Sequence, residues 1–183
     1  MSGPPTSAVP HDASGADRPP PLAHIVLLHP EIPNNTGNIG RTAAALRCRL
    51  HIVHPIGFDM DEKARRRAGL DYWHLVDCVE HASWEDFLAR EQPARLWACT
   101  ARAQRNHFDA GFMRGDYLLF GKESSGFGED IAAWVAQRYG HDRLLSIPMP
   151  GGDGVRSLNL ATAVAITGYE ALRQITLRAS AGT

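Results

Sequence analysis

Residues 24–47 read HIVLLHPEIPNNTGNIGRTAAALR. The opening run, His24–His29, is a short apolar stretch of the kind that forms a strand buried on both faces. Gly37–Arg47 follows as a helix, with Asn35 or Thr36 as its cap. A strand that passes through a polar, Gly-containing bend into a helix is the unit from which parallel α/β sheets are built.

The same alternation continues to the C-terminus. Strands are expected at Leu50–Val53 (ended by His54-Pro55), Leu75–Val79, Leu96–Thr100, Tyr117–Phe120 and Leu144–Ile147. Helices are expected at 61–68, at Ser83–Glu91 with Ser83 as cap, at Glu129–Tyr139 up to Gly140, and at Leu158–Arg173. The fold class is therefore α/β, a parallel sheet with helices on both faces. Upstream, residues 1–22 hold six of the twelve prolines and no aromatic residue. Such a segment cannot bury enough apolar area to offset its ordering entropy, so it reads as a disordered tail before a domain spanning 23–183.

Composition narrows the class further. The 183 residues are 44% hydrophobic and 21% charged, with a net charge of −1, which disfavours a generally basic nucleic-acid binder but allows a local patch. That patch is Lys63-Ala64-Arg65-Arg66-Arg67. Seventeen of the nineteen cationic residues are Arg, the residue that makes forked contacts to phosphate. Three widely spaced cysteines form neither a disulfide framework nor a zinc spacing, and a reducing cytoplasm is the simplest compartment. No apolar run reaches the ~20 residues of a membrane span. His51 and His54, three apart at a strand end, do not converge as metal ligands and read as ordinary polar or part-buried histidines.

In an open α/β sheet, ligands gather at the carboxyl ends of the strands. Three such ends are rich in polar and glycine residues: Pro30–Arg41, Gly121–Gly128 and Pro148–Asn159. Glycine allows close backbone approach, and free N–H groups at a helix start bind anions or carbonyls. No G-x-G-x-x-G follows the first strand and no G-x-S-x-G is present, which disfavours a dinucleotide fold and a serine hydrolase.

The three bends resemble the three motifs of the SPOUT superfamily of RNA methyltransferases. The matching segments are Asn35-Thr36-Gly37-Asn38-Ile39-Gly40-Arg41, Phe120-Gly121-Lys122-Glu123-Ser124-Ser125-Gly126, and Ile147-Pro148-Met149 leading to Arg156-Ser157-Leu158-Asn159-Leu160-Ala161-Thr162-Ala163. Pro30-Glu31-Ile32-Pro33 and Arg66–Trp73 are similar to the branch that methylates the ribose 2′-oxygen of the tRNA wobble nucleotide. The likeness covers about residues 23–175; the Pro-rich tail has no counterpart, and Pro150–Val155 is longer and richer in glycine than the usual pattern.

The resemblance implies a C-terminal deep trefoil knot that binds S-adenosylmethionine, leaving S-adenosylhomocysteine after transfer, with no metal. It also implies an obligate homodimer whose surface holds the anticodon stem-loop of tRNA. By the same resemblance, the cofactor is lined by Cys99, Thr100, Gly121, Ile147, Met149, Ser157 and Leu158, and the catalytic residues are Asn35, Arg41, Glu123, Ser157 and Asn159. Arg41 is expected to donate to an RNA phosphate or to the forming alkoxide, because a guanidinium is too weak an acid to serve as a free base. Glu123 orients Arg41, accepts the proton, or simply bonds loop N–H groups. Asn35, Ser157 and Asn159 are also candidates for helix caps. Arg65, Arg66 and Arg67 are expected to contact RNA alongside Arg41, with Trp73 as the candidate base-stacking residue. Within the methyltransferase reading, the runner-up substrate is another tRNA position or ribosomal RNA; two other classes also fit the residues, a catalytically silent RNA-binding module on the same fold and a small-molecule α/β enzyme. Bound S-adenosylhomocysteine separates the first from an enzyme; absence of tRNA affinity at low salt marks the second.

Overall fold

The computed structural model describes residues 20–59, 70–151 and 154–181. Six parallel strands, β1 (His24–Leu28), β2 (Arg49–Val53), β3 (Cys78–His81), β4 (Leu96–Cys99), β5 (Tyr117–Phe120) and β6 (Leu144–Leu145), form one sheet in the order β3-β2-β1-β5-β4-β6. Four α-helices lie among the described residues: α1 (Pro33–Leu46), α2 (Trp84–Glu91), α3 (Gly128–Tyr139) and α4 (Leu160–Ala181). The alternation of β1 sorts them. Ile25 and Leu27 pack with Ile39 and Ala43 of α1 and Val164 and Ala171 of α4. Val26 and Leu28 face Phe87 of α2 and Val135 of α3. Both faces of the strand are thus covered, which is why it reads as a continuous apolar run.

Strand order reverses beside β1. The chain lays β2 and β3 to one side, then returns to place β5 on the other, with Leu27 opposite Phe120. The bends that leave β1 and β5 therefore lie side by side at the switch point of the sheet, where ligands bind in this architecture.

Local chemistry sets the element ends. Helix α1 starts earlier than the Asn35/Thr36 cap implies: Ile32 is extended ahead of it and Pro33 takes the first turn, where a missing N–H costs nothing. Asn35 and Thr36 are instead buried within the helix. Helix α2 starts as expected, with the Asp86 amide donating to Ser83 Oγ at 3.2 Å and Asp86 Oδ2 accepting from the Ala82 amide at 3.0 Å. Replacing Ser83 by Ala is expected to cost about 1 kcal/mol and to lower the thermal midpoint by ~2–4 °C. An unchanged melt would mean that Asp86 holds the turn alone.

Several boundaries differ from expectation. The third strand lies at Cys78–His81, not Leu75–Val79, because Asp71–Leu75 winds into a 3-10 turn that leaves Leu75 exposed. The sixth strand stops at Leu145 and the closing helix runs from Leu160 to Ala181. Leu22, placed by its sequence in the tail, is buried, donates to Arg47 O at 3.0 Å and accepts from the Gly115 amide at 3.0 Å. The folded body thus begins before residue 23, while residues 1–19 and the expected helix at 61–68 lie outside the described residues.

Beyond β4 the chain clasps β6. Thr100 donates to Leu145 O at 2.8 Å, Ser146 donates to Arg105 O at 2.8 Å, and His107 donates to Ser146 O at 2.9 Å. The same loop then meets α4, where Gln174 Oε1 accepts from the Phe112 amide at 3.0 Å and Arg178 donates to Phe112 O.

His24, His51 and His81 stand in a row across β1, β2 and β3, under α2. His24 Nδ1 is 2.9 Å from His51 Nε2, and His51 Nδ1 is 2.9 Å from His81 Nε2. Burial drives the His24 pKa down to about 4 and lowers those of His51 and His81 as well, so the row is uncharged at neutral pH. His51 is therefore a fully buried member of a polar row, whereas His54 turns away to Glu80 at 2.7 Å.

Candidate active site

The tightest bend follows β5. Lys122 and Gly126 exchange backbone hydrogen bonds at 3.0 Å in both directions. Gly121 lies so close beneath this turn that a Cβ there would meet Gly126 C and Phe127 N at 2.2 Å. Only glycine fits, and the turn throws Glu123 toward the bend after β1. Its carboxylate accepts from the Glu31 amide at 2.8 Å, the Ile32 amide at 3.3 Å and Asn35 Nδ2 at 2.9 Å. Glu31 returns the contact, accepting from the Ser124 amide at 3.1 Å. Hydrogen bonding from the Ser124 side chain, and then from its amide, holds the Glu31 carboxyl below its usual range.

The third bend joins through Asn159. Its Nδ2 donates to Asn35 Oδ1 at 3.0 Å, and its Oδ1 accepts from the Ala161 and Thr162 amides at 2.9 and 3.3 Å, capping α4. One chain of contacts, Glu123–Asn35–Asn159, thus ties together residues 124 positions apart.

Arg41 lies one to two turns along α1 from Asn35 and is exposed. Its guanidinium sits 4.4 Å from the Tyr72 ring centre, and Tyr72 OH donates to Gly37 O at 2.7 Å. Leu70 and Trp73 fill the spaces left by Gly37 and Gly40, where a Cβ would meet them at 2.8 and 2.5 Å. Trp73 is therefore a packing residue against α1, not a free stacking platform. Glu123 does not orient Arg41: its oxygens are taken by loop donors, and Arg41 has no ion pair with a described carboxylate.

Of the residues expected to line a cofactor, Gly121, Cys99, Thr100, Ile147 and Met149 follow the ends of the neighbouring strands β5, β4 and β6, and Ser157 and Leu158 precede α4. Cys99 Sγ lies 3.9 Å from Thr167 Oγ1, and burial pushes its thiol up to about 12, so it is a neutral wall. Thr100 ties β4 to β6, and Ile147, Met149 and Leu158 are half-buried. Ser157 is exposed and does not cap α4; Asn159 does. Among the described residues, the backbone of 147–149 and 156–158 makes no hydrogen bond to another backbone group. Free amides and carbonyls beside apolar side chains suit a largely apolar group read by a few polar contacts. Two cavities are lined by residues other than these. One of about 390 Å³ adjoins Leu22, Arg47 and Leu172, and one of about 520 Å³ adjoins His29, His54, Lys122 and Phe127.

Residues 23–169 match the SpoU rRNA Methylase family. The chain belongs to that family. It is similar to a tRNA (cytidine(34)-2′-O)-methyltransferase of Saccharophagus degradans, 42% identical over 154 residues that cover 84% of this chain and 96% of the relative. A solved structure described as giving insight into the 2-OH methylation of C/U34 on tRNA superposes with a TM-score of 0.74 at 47% identity, covering 86% of this chain and 99% of that one. The SpoU methyltransferase AviRb of Streptomyces viridochromogenes, solved with AdoMet, superposes at 0.66 and 29% identity, covering 86% of this chain and 61% of that one.

Sequence reasoning assigned this SpoU-family chain no role for Glu31, Tyr72 or the row formed by His24 and His81. Glu31 stood in the first bend and Tyr72 in a segment noted only for its likeness to a branch, and neither was singled out. The histidines are each unremarkable alone, and they meet only diagonally, each two residues out of register with the next across neighbouring parallel strands. Arg65, Arg66 and Arg67 lie outside the described residues. No described helix is long and apolar enough to cross a membrane.

Proposed function

We propose that this chain is a tRNA 2′-O-methyltransferase, transferring a methyl group from S-adenosylmethionine to the ribose 2′-hydroxyl of the wobble nucleotide, a cytidine or 5-substituted uridine. The observation that carries this reading is the Glu123–Asn35–Asn159 cluster, in which three separate motif bends meet at the switch point of a SpoU-family sheet. When bound, the cofactor supplies an activated methyl group on a sulfonium, so the protein has only to position donor and acceptor and to stabilise developing charge.

Cys99, Thr100, Gly121, Ile147, Met149, Ser157 and Leu158 would hold the cofactor. The backbone of 147–149 and 156–158, unbonded to any other described backbone group, and the uncharged Cys99 thiol support that role. Glu123, Asn35 and Asn159 fix the three bends against each other. Arg41 donates to an RNA phosphate or to the 2′-oxygen as its proton leaves. The C-terminal segment is read as a deep trefoil knot. The clasp of residues 100–107 around Ser146, with α4 on the far side of the same loop, supports this reading. A homodimer presents the surface for the anticodon stem-loop.

Incubating the protein with tRNA and methyl-labelled S-adenosylmethionine, followed by mapping of ribose methylation, should place the label on the wobble nucleotide. Label on ribosomal RNA alone, or none on tRNA, would overturn the assignment. Replacing Arg65, Arg66 and Arg67 by Gln should reduce the slope of log affinity against log salt by up to ~3, about 0.9 for each phosphate that is no longer neutralised. An unchanged slope would remove the cluster from the interface.

A further inference from the structure

The face of the sheet opposite α1 carries a second constellation of chemistry-bearing side chains. His51 and His81 are fully buried beneath α2, and Glu91 closes that helix with its side chain 16% exposed. His51 Nδ1, His81 Nε2 and Glu91 Oε1 form a triangle with sides of 2.9, 3.8 and 3.9 Å. The point equidistant from those three atoms lies about 2.1 Å from each, the length of a zinc–nitrogen or zinc–oxygen bond, ~2.0–2.2 Å. We propose that His51, His81 and Glu91 form a site for a zinc-class divalent cation, separate from the methyl-transfer residues.

The surroundings fit that assignment. A metal-bound imidazole ordinarily donates its other N–H to a fixed acceptor, which sets its tautomer and orientation. With Nδ1 on the cation, His51 Nε2–H points at His24 Nδ1, 2.9 Å away. With Nε2 on the cation, His81 Nδ1–H faces Asp86 Oδ2 at 3.8 Å; that nitrogen is otherwise buried without a partner. The second Glu91 oxygen accepts from Tyr117 OH at 3.0 Å, which fixes the carboxylate. Without a cation, one nitrogen of the short His51–His81 contact carries a proton; on binding, that ring carries its proton on the outer nitrogen instead, and both imidazoles stay neutral. Donor atoms of His24, His51 and Glu91 also lie within 4.8 Å of one another. His24 is half-buried and Glu91 is the part of the set that reaches solvent. Two His and one Glu are a ligand set that leaves the cation a free position.

The test uses tag-free, full-length protein stripped with a chelator and titrated with cobalt(II) and with zinc. Wild-type protein should bind one cobalt per chain, with visible absorption of a low-coordinate site that zinc abolishes. His81→Gln and Glu91→Gln should each weaken binding at least tenfold, while His54→Gln, which removes an exposed histidine bound to Glu80, should leave it unchanged. No stoichiometric binding by folded wild-type protein would overturn the proposal, and the row would then be a neutral hydrogen-bonded chain. Equal binding by the His81 and Glu91 variants would overturn it too. Because the readout is metal binding and not methyl transfer, failure here leaves the proposed activity untouched.

Discussion

Arg41→Ala is expected to lower single-turnover methyl transfer at least tenfold while leaving the affinity for S-adenosylmethionine nearly unchanged. A tenfold loss corresponds to about 1.4 kcal/mol, the scale of one charge-assisted hydrogen bond made in the transition state. The guanidinium is exposed and rests on the Tyr72 ring, itself pinned to α1 through Gly37 O. It is thus aimed without being buried, and its removal should change stability by less than ~0.5 kcal/mol. Arg41→Lys keeps the charge but loses the planar fork and the stacking, so it should recover only part of the rate. Equal single-turnover rates for Arg41→Ala and wild type would take Arg41 out of the mechanism.

Glu123→Ala should act differently, losing stability and turnover together. Three donors converge on this carboxylate: two backbone amides of the first bend and the side chain of buried Asn35. Leaving them unsatisfied should cost about 2–3 kcal/mol, a fall in thermal midpoint of roughly 5–10 °C. The bend carrying Arg41 would also lose its register with Asn159, so turnover should drop at least tenfold. Glu123→Gln retains one acceptor oxygen and should recover part of both losses. A variant that melts normally yet is inactive would instead mark Glu123 as the proton acceptor.

What could be read beforehand follows from the reach of each signal. The parallel sheet and its helices were legible because HIVLL and YLLF are buried on both faces and need no partner to be recognised. Helix α2 was legible because its cap is local, Ser83 bonding Asp86 three residues on. The start of α1 was misplaced because Asn35 looks like a cap but spends its amide on Glu123, 88 residues away. The third strand was misplaced because Leu75 and Val76 have strand character, while the register of β2 takes Cys78–His81. Likewise, the family resemblance supplied Glu123 and Asn159 as candidates, but not that Asn35 joins them or that Arg41 lies on Tyr72. Those are distances between loops, and no local pattern encodes them.

The placement of β1 between β2 and β5 governs how the protein is born. At synthesis rates of ~5–20 residues per second, β5 leaves the ribosome several seconds after β1, whose second edge stays open until Phe120 has emerged. The nascent first half is thus a sticky intermediate with an unmatched central strand. Cutting the gene between β3 and β4 would yield two fragments that need each other, since β1 would lie in one and its neighbour β5 in the other.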